Sequence, residues 1–169
     1  MSDVYCVRAD YGKYVNYFLR GGYAAIGWEI ERDLSALASI EDIRAVYRET
    51  HPNEKAILAE QHVGQIARFL FELKSGDYVI TPTRETEQIY YGVVEREPAY
   101  YYNRTQDGCP FPHRKKVRWH TTPVDTEEFP DAFQNSLRSM MTVFAIPRKQ
   151  SFLDTINRNT FKQEDLKMP

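Results

Sequence analysis

A turn at Ser75-Gly76-Asp77, followed closely by two β-runs, constrains this chain more than any other feature. The first run is Tyr78-Val79-Ile80-Thr81, and Pro82 stops it because proline has no N–H to give a sheet ladder. The second, Ile89-Tyr90-Tyr91-Gly92-Val93-Val94, is rich in β-branched and aromatic residues, and the polar loop Arg84–Gln88 joins the two as a hairpin. Three tyrosines, Tyr100–Tyr102, follow the hairpin, and an earlier block, Gly21-Gly22-Tyr23-Ala24-Ala25-Ile26-Gly27-Trp28, places an isolated tryptophan just past an apolar run. The pattern predicts a small sheet whose strand ends hold aromatic rings around a recess, a geometry suited to flat ligands.

Around that hairpin the chain alternates strands and helices. Val4–Arg8 reads as a first strand, and Asp10 is placed to cap a helix through Tyr14, Val15, Phe18 and Leu19 that stops at Gly21-Gly22. A second strand runs from Tyr23 to Trp28. A short helix is expected around 40–47 and a longer one over about 53–74, where Leu58, Val63, Ile66, Ala67, Leu70 and Phe71 recur at helical spacing. Gly108, Pro110 and Pro112 punctuate a loop over 103–113; a strand from Arg114 to about Thr121, a short helix over 131–138 and a strand over 142–146 follow. A helix through Phe152, Leu153 and Ile156 comes next, and the polar stretch over 159–169 reads as a linker-like tail. The expected fold class is α+β: a small curled mixed sheet, or partly open barrel, of five to six strands with flanking helices, forming one domain over 1–150 with the helix and tail at 151–169.

Composition narrows the function. A net charge of −2 excludes a uniformly basic nucleic-acid coat, although phosphate affinity needs only a local cluster. Cys6 and Cys109 show no metal-ligand spacing with each other or with His51, His62, His113 and His120, so no metal and no cofactor is expected. No apolar stretch approaches the roughly 20 residues of a membrane span, and no signal peptide is evident, so a cytoplasmic location is expected. A nucleophile elbow and a glycine-rich phosphate loop are absent, and Asn53-Glu54-Lys55 lacks the spacing of a nuclease centre. The chain on its own is expected not to be an enzyme.

Two groups of residues carry the binding chemistry. On the strand from Arg114, alternation puts Arg114, Lys116, Arg118 and His120 on one face, with Val117 and Trp119 on the other. That row would follow a phosphate backbone, or else simply guard a solvated edge strand against aggregation. Trp28 would stack on a base or pack against the long helix; the company of Tyr11, Pro82 and Tyr91 favours the base. Arg8 and Asp10 stand beyond the first strand, where they could bond a base edge, unless Asp10 serves only as the helix cap.

The blocks Val4–Asp10, Gly22–Trp28, Lys74–Ile80, Tyr91-Gly92-Val93-Val94 and Leu137-Arg138-Ser139 leading to Thr142-Val143-Phe144 stand in an order and spacing that resemble the EVE-like branch of the PUA superfamily. The form is similar to the N-terminal module of Mrr-type, modification-dependent restriction endonucleases, over roughly residues 4–147. The resemblance implies a DNA-binding reader that accepts a modified base flipped from the duplex, directing a nuclease domain or subunit in prokaryotic restriction and defence. It puts the pocket rim at Arg8, Asp10 and Tyr11, at Trp28, and at Thr81, Pro82 and Thr83, with Tyr91 completing the cage. Where related readers place several tryptophans around the base, only Trp28 is so placed here. An Mrr-type arrangement puts a nuclease domain after the reader, so the chain is expected to be either one domain of a larger protein or a free-standing reader. Two other readings remain open: a module reading a modified base in single-stranded RNA, and a sensor or hydrolase of free nucleotides.

Overall fold

The computed structural model describes residues 2–97 and 99–167, with side chains as far as 159. Its centre is an open mixed sheet in the order β2 (Tyr23–Ile26), β6 (His113–Trp119), β4 (Gln88–Val94), β3 (Tyr78–Pro82), β1 (Val4–Val7), β8 (Val143–Ala145). Two short strands attach to this path: β5 (Tyr101–Tyr102) pairs with β6, and β7 (Val124–Asp125) pairs with β4. The α+β class and the curled sheet are as expected, and these two-residue strands raise the number of strands to eight. β1 runs parallel to β3 and antiparallel to β8, and the hairpin β3–β4 is in register from Tyr78 opposite Val93 to Pro82 opposite Ile89. Pro82 is thus the last residue of its strand, where its missing N–H interrupts nothing further along.

The sheet divides two cores. Successive residues of β1 point to opposite sides, so Tyr5 and Val7 enter one core while Val4 and Cys6 enter the other. The larger core is covered by α1 (Val15–Gly21), α2 (Ile40–Thr50) and α3 (Ala56–Ala67), through Phe18, Ile43, Tyr47, Val63 and Ile66. The smaller core is covered by α4 (Asp131–Ser136) and α5 (Lys149–Lys167). Phe152 lies nearly parallel to Phe129 at 6.2 Å and to Phe133 at 6.1 Å, and it is fully buried. A domain limit at residue 150 therefore falls inside this core, and the first half of α5 is part of the fold and not of a tail.

Three local expectations change. Asp10 does not cap α1: the helix starts at Val15 with Tyr14 in the N-cap position and no side-chain cap bond. β2 ends at Ile26, so Trp28 sits in the following turn. The long helix stops at Ala67 and widens into a π-turn over Arg68–Glu72, whose end offers the carbonyls of Leu70 and Leu73 to the Lys115 ammonium. Among the described residues no helix is long and apolar enough to cross a membrane.

Candidate functional site

Six residues other than glycine hold left-handed backbone, in three adjacent pairs: Asp10-Tyr11, Trp28-Glu29 and Glu85-Thr86, with φ between 50 and 62°. Side chains pay for that conformation, by on the order of 1–3 kcal/mol each, and such residues gather where function demands them. The second pair forms the centre of a tight turn closed by the Ile30 N–H donating to the Gly27 carbonyl at 3.2 Å. The first pair is followed by Gly12, at φ 88°, where a Cβ would lie 2.5 Å from the Arg84 nitrogen and 2.8 Å from the Thr83 carbonyl carbon. Only glycine lets the loop after β1 lie directly on the loop after β3.

Two cavities flank Asp10. The larger, about 460 Å³, is lined by Asp10, by Gly27 through Glu31, and by Pro110, Phe111 and Pro112. Its volume lies in the ~300–1,000 Å³ range of small-ligand pockets. The Phe111 ring lies against Gly27, where a Cβ would come within 2.8 Å of the ring, and it meets Tyr14 edge to face at 5.2 Å. Trp28 and Phe111 both line this cleft, Phe111 held between two prolines, but the Trp28 ring is half-buried against the larger core and packs on His62 of α3, with ring centroids 5.7 Å apart, as the packing alternative expected. Its charged lining residues are Asp10, Glu29 and Glu31, all three acidic and exposed. The smaller cavity, about 280 Å³, is lined by Arg8, Asp10, Tyr11, Thr86 and the segment from Leu137 to Met140 with Thr142.

Buried polar groups hold these walls. Arg114 is 2% exposed; its guanidinium lies 4.0 Å from the Tyr23 ring centroid and forms a two-pronged ion pair with Asp107. The same group donates to the carbonyls of Phe111 at 2.9 Å and Cys109 at 3.1 Å, so it fixes the loop that carries Phe111. Its bond to Asp107 holds that carboxyl down at about 2. His113, at the start of β6, is fully buried. Its Nε2 donates to the Ile30 carbonyl at 2.8 Å, and its Nδ1 accepts from the Tyr100 hydroxyl, which in turn accepts the Leu34 N–H. Burial pushes His113 down to about 4, so the ring is neutral and its tautomer is set by these partners.

The expected site residues divide between these places. Asp10 and Trp28 share the larger cleft; Arg8 and Tyr11 line the smaller one. The Arg8 guanidinium donates to the Leu137 and Ser139 carbonyls, so it binds the loop after α4 more than any external group. Thr81 is fully buried and its hydroxyl has no partner among the described residues, while the Thr83 hydroxyl closes the hairpin loop against Gln88. Thr81, Pro82 and Thr83 line neither cavity; the tip of that loop reaches the smaller one through Thr86. Tyr91 lies opposite Ile80 and faces the smaller core, stacked on His120 at 4.8 Å and edge to face with Phe152. It belongs to the core and not to an aromatic cage.

The row of cations along β6 is also broken. Arg114 is roofed by the 107–111 loop, and His120 is taken up in a turn where its Nδ1 accepts from the Thr122 N–H; Lys116 and Arg118 remain exposed. Residues missed by sequence reasoning are Phe111, Glu29, Glu31, Arg138 and Met140. For Phe111 a signal was present: an aromatic between Pro110 and Pro112 in an otherwise polar loop is presented rigidly.

Among the described residues no group of three or more His, Cys, Asp or Glu is arranged to hold a metal ion. Both cysteines are free and buried, and burial pushes the Cys6 thiol up to about 12, which leaves it protonated and inert. Comparison with curated proteins gave no match. A family model spanning residues 6–147, from β1 to just past β8, does match, and the chain therefore belongs to the family described as domain of unknown function DUF8426.

Proposed function

We propose that this domain is a nucleic-acid reader that takes a modified base, flipped out of DNA, into the cleft between Trp28 and Phe111. The observation that carries the reading is the cleft itself: about 460 Å³, lined by Trp28 and Phe111, with left-handed backbone at Trp28-Glu29. A base held there gains about 1–3 kcal/mol from stacking, which offsets the few kcal/mol needed to unpair it. Carboxylates only accept hydrogen bonds, so Asp10, Glu29 and Glu31 favour a base edge rich in donors, such as the exocyclic amine of a cytosine or adenine. Phosphates would be kept away from these acids and toward Arg138, exposed at the smaller cavity, and toward Lys13 and Arg84, exposed in the two loops that meet at Gly12. The mechanism is recognition without chemistry, with cleavage left to a nuclease domain or subunit, in the cytoplasm of the cell.

The same carboxylates motivate a second reading. An aromatic cleft bearing three acids also suits an organic cation, such as a methylated amine or a guanidinium on a peptide.

Fluorescence polarisation against matched duplexes separates the two. The duplexes are unmodified or carry 5-methylcytosine, 5-hydroxymethylcytosine or N6-methyladenine, with single-stranded DNA and RNA and a methyl-lysine peptide alongside. The reader hypothesis expects one modified duplex to be preferred, with affinity falling steeply as salt rises, and Trp28→Ala weakening it about five- to 150-fold. Equal, weak binding to every oligonucleotide removes it, and tight binding of the peptide establishes the alternative.

A further inference from the structure

The left-handed turn at Trp28-Glu29 leans on two histidines. The Trp28 ring packs on His62 of α3, and the Glu29 carboxylate lies 3.9 Å from Nε2 of His51, the residue that follows α2. Both histidines meet one buried tyrosine. His51 stacks on the Tyr47 ring at 4.3 Å, and the Tyr47 hydroxyl stands 2.6 Å from both Glu54 Oε2 and His62 Nδ1. A hydroxyl has one proton to give and a carboxylate only accepts, so Tyr47 donates to Glu54, and His62 Nδ1–H donates to the Tyr47 oxygen. The same Nδ1 lies 3.1 Å from Glu54 Oε1. The neutral His62 ring therefore keeps its lone pair at Nε2, and a second proton there makes it a cation held by Glu54 against the Trp28 ring. His51 has a different freedom. Its Nδ1 is buried with no partner among the described residues, so no side-chain hydrogen bond there opposes a turn of the ring toward Glu29.

Among the described residues, Glu29 and Glu54 form ion pairs with these histidines alone, while Arg44 is held by Glu60 and Arg32 by Glu49. The titratable groups around the two rings are thus Glu29 on the turn, Tyr47 on α2 and Glu54 ahead of α3. Burial and the bond to Glu54 push the Tyr47 hydroxyl up, so it stays protonated. Histidine is the side chain whose charge changes between about pH 5 and 8. We infer that His51 and His62 form a proton-operated latch on the Trp28-Glu29 turn. When charged, His51 draws the Glu29 carboxylate out of the cleft, and His62 holds the Trp28 ring as a cation against an aromatic face. Glu29 is one of three acids lining the cleft, so the latched cleft loses affinity for a donor-rich ligand as pH falls. By linkage, a ligand that engages Glu29 expels the proton from His51. The latch is a property of the turn; its control of base binding rests on the reading proposed above.

Nuclear magnetic resonance of the ligand-free wild-type protein, from about pH 8 to about 5.5, tests the latch directly. The Trp28 indole N–H and the Glu29 carboxylate carbon should both shift across this range, and nitrogen couplings should place the proton of neutral His62 on Nδ1. His62→Gln should abolish the first shift and His51→Gln the second. Stationary Trp28 and Glu29 signals in the wild type overturn the latch whether or not either variant folds, and so do shifts that persist undiminished in the variants. Affinity for the modified duplex preferred by the wild type is then measured at both ends of the range. One exposed ion pair predicts binding about two- to fivefold weaker at the lower pH, and the same dependence absent from His51→Gln. Equal pH dependence in both proteins overturns the control of binding. A wild-type protein without preference for any modified base removes the reader, and the latch then stands or falls on the resonances.

Discussion

Replacing Arg114 with Met keeps most of the side-chain volume while removing every polar contact of the guanidinium. Four hydrogen bonds disappear, two to Asp107 and one each to the Phe111 and Cys109 carbonyls, along with the contact to the Tyr23 ring. Breaking a buried ion pair costs about 3–5 kcal/mol when the abandoned charge stays buried. Here the Asp107 side chain is 36% exposed and regains hydration, which brings the expected loss to the lower end, ~3 kcal/mol. For a chain of this size that lowers Tm by roughly 6–12 °C. Arg114→Lys should recover less than half of the loss, because an ammonium cannot span a carboxylate and two carbonyls at once. Circular-dichroism melts and urea titrations measure the loss, and hydrogen exchange should show faster exchange across residues 107–111. An Arg114→Met protein within ~0.5 kcal/mol of wild type would refute the claim that this residue anchors the cleft wall.

Further outcomes concern buried polar groups. His113 sits at about 4 in the fold against about 6.5 when free, so the unfolded chain binds more protons between those values. Stability should therefore fall as pH drops from 6.5 to 4, by up to about 3 kcal/mol, and a His113→Gln protein should lose that dependence; superimposable urea midpoints across the range would contradict it. Lys115, pushed down to about 8 by burial, should add a similar gain in stability as pH rises from 8 to about 10.4. Thr81→Val exchanges a buried hydroxyl without a partner for a methyl group of similar shape, and should leave stability unchanged or raise it by about 1 kcal/mol. A loss of more than ~1 kcal/mol would mean that the hydroxyl is satisfied in solution.

The hairpin β3–β4 was legible because every local signal agreed: a Gly-Asp turn, β-branched and aromatic runs, and a proline that tolerates only a strand end. That Trp28 and Asp10 come near each other was likewise legible, since both stand just beyond a strand, and both line one cleft. Their left-handed backbone was not legible, because tryptophan and aspartate carry no glycine-like signal for positive φ. Alternation on β6 correctly grouped Arg114 with Lys116 and Arg118. It could not show that a loop beginning ten residues earlier folds back over one end of the strand and buries Arg114 against Asp107. Tyr91 failed for a related reason. Period-two alternation says which residues share a face, and a sheet with a core on each side offers two faces that read alike.

The family match stops at residue 147, yet Phe152 and Ile156 of α5 complete the core that also contains Phe129, Phe133 and Tyr91. What is shared by descent and what must fold together are thus different lengths of chain. A protein cut at the shared boundary would keep the cleft residues and lose the lid of the opposite core, leaving a band of phenylalanines and tyrosines open to water. Self-association of such a fragment would then be a property of the cut and not of the intact domain.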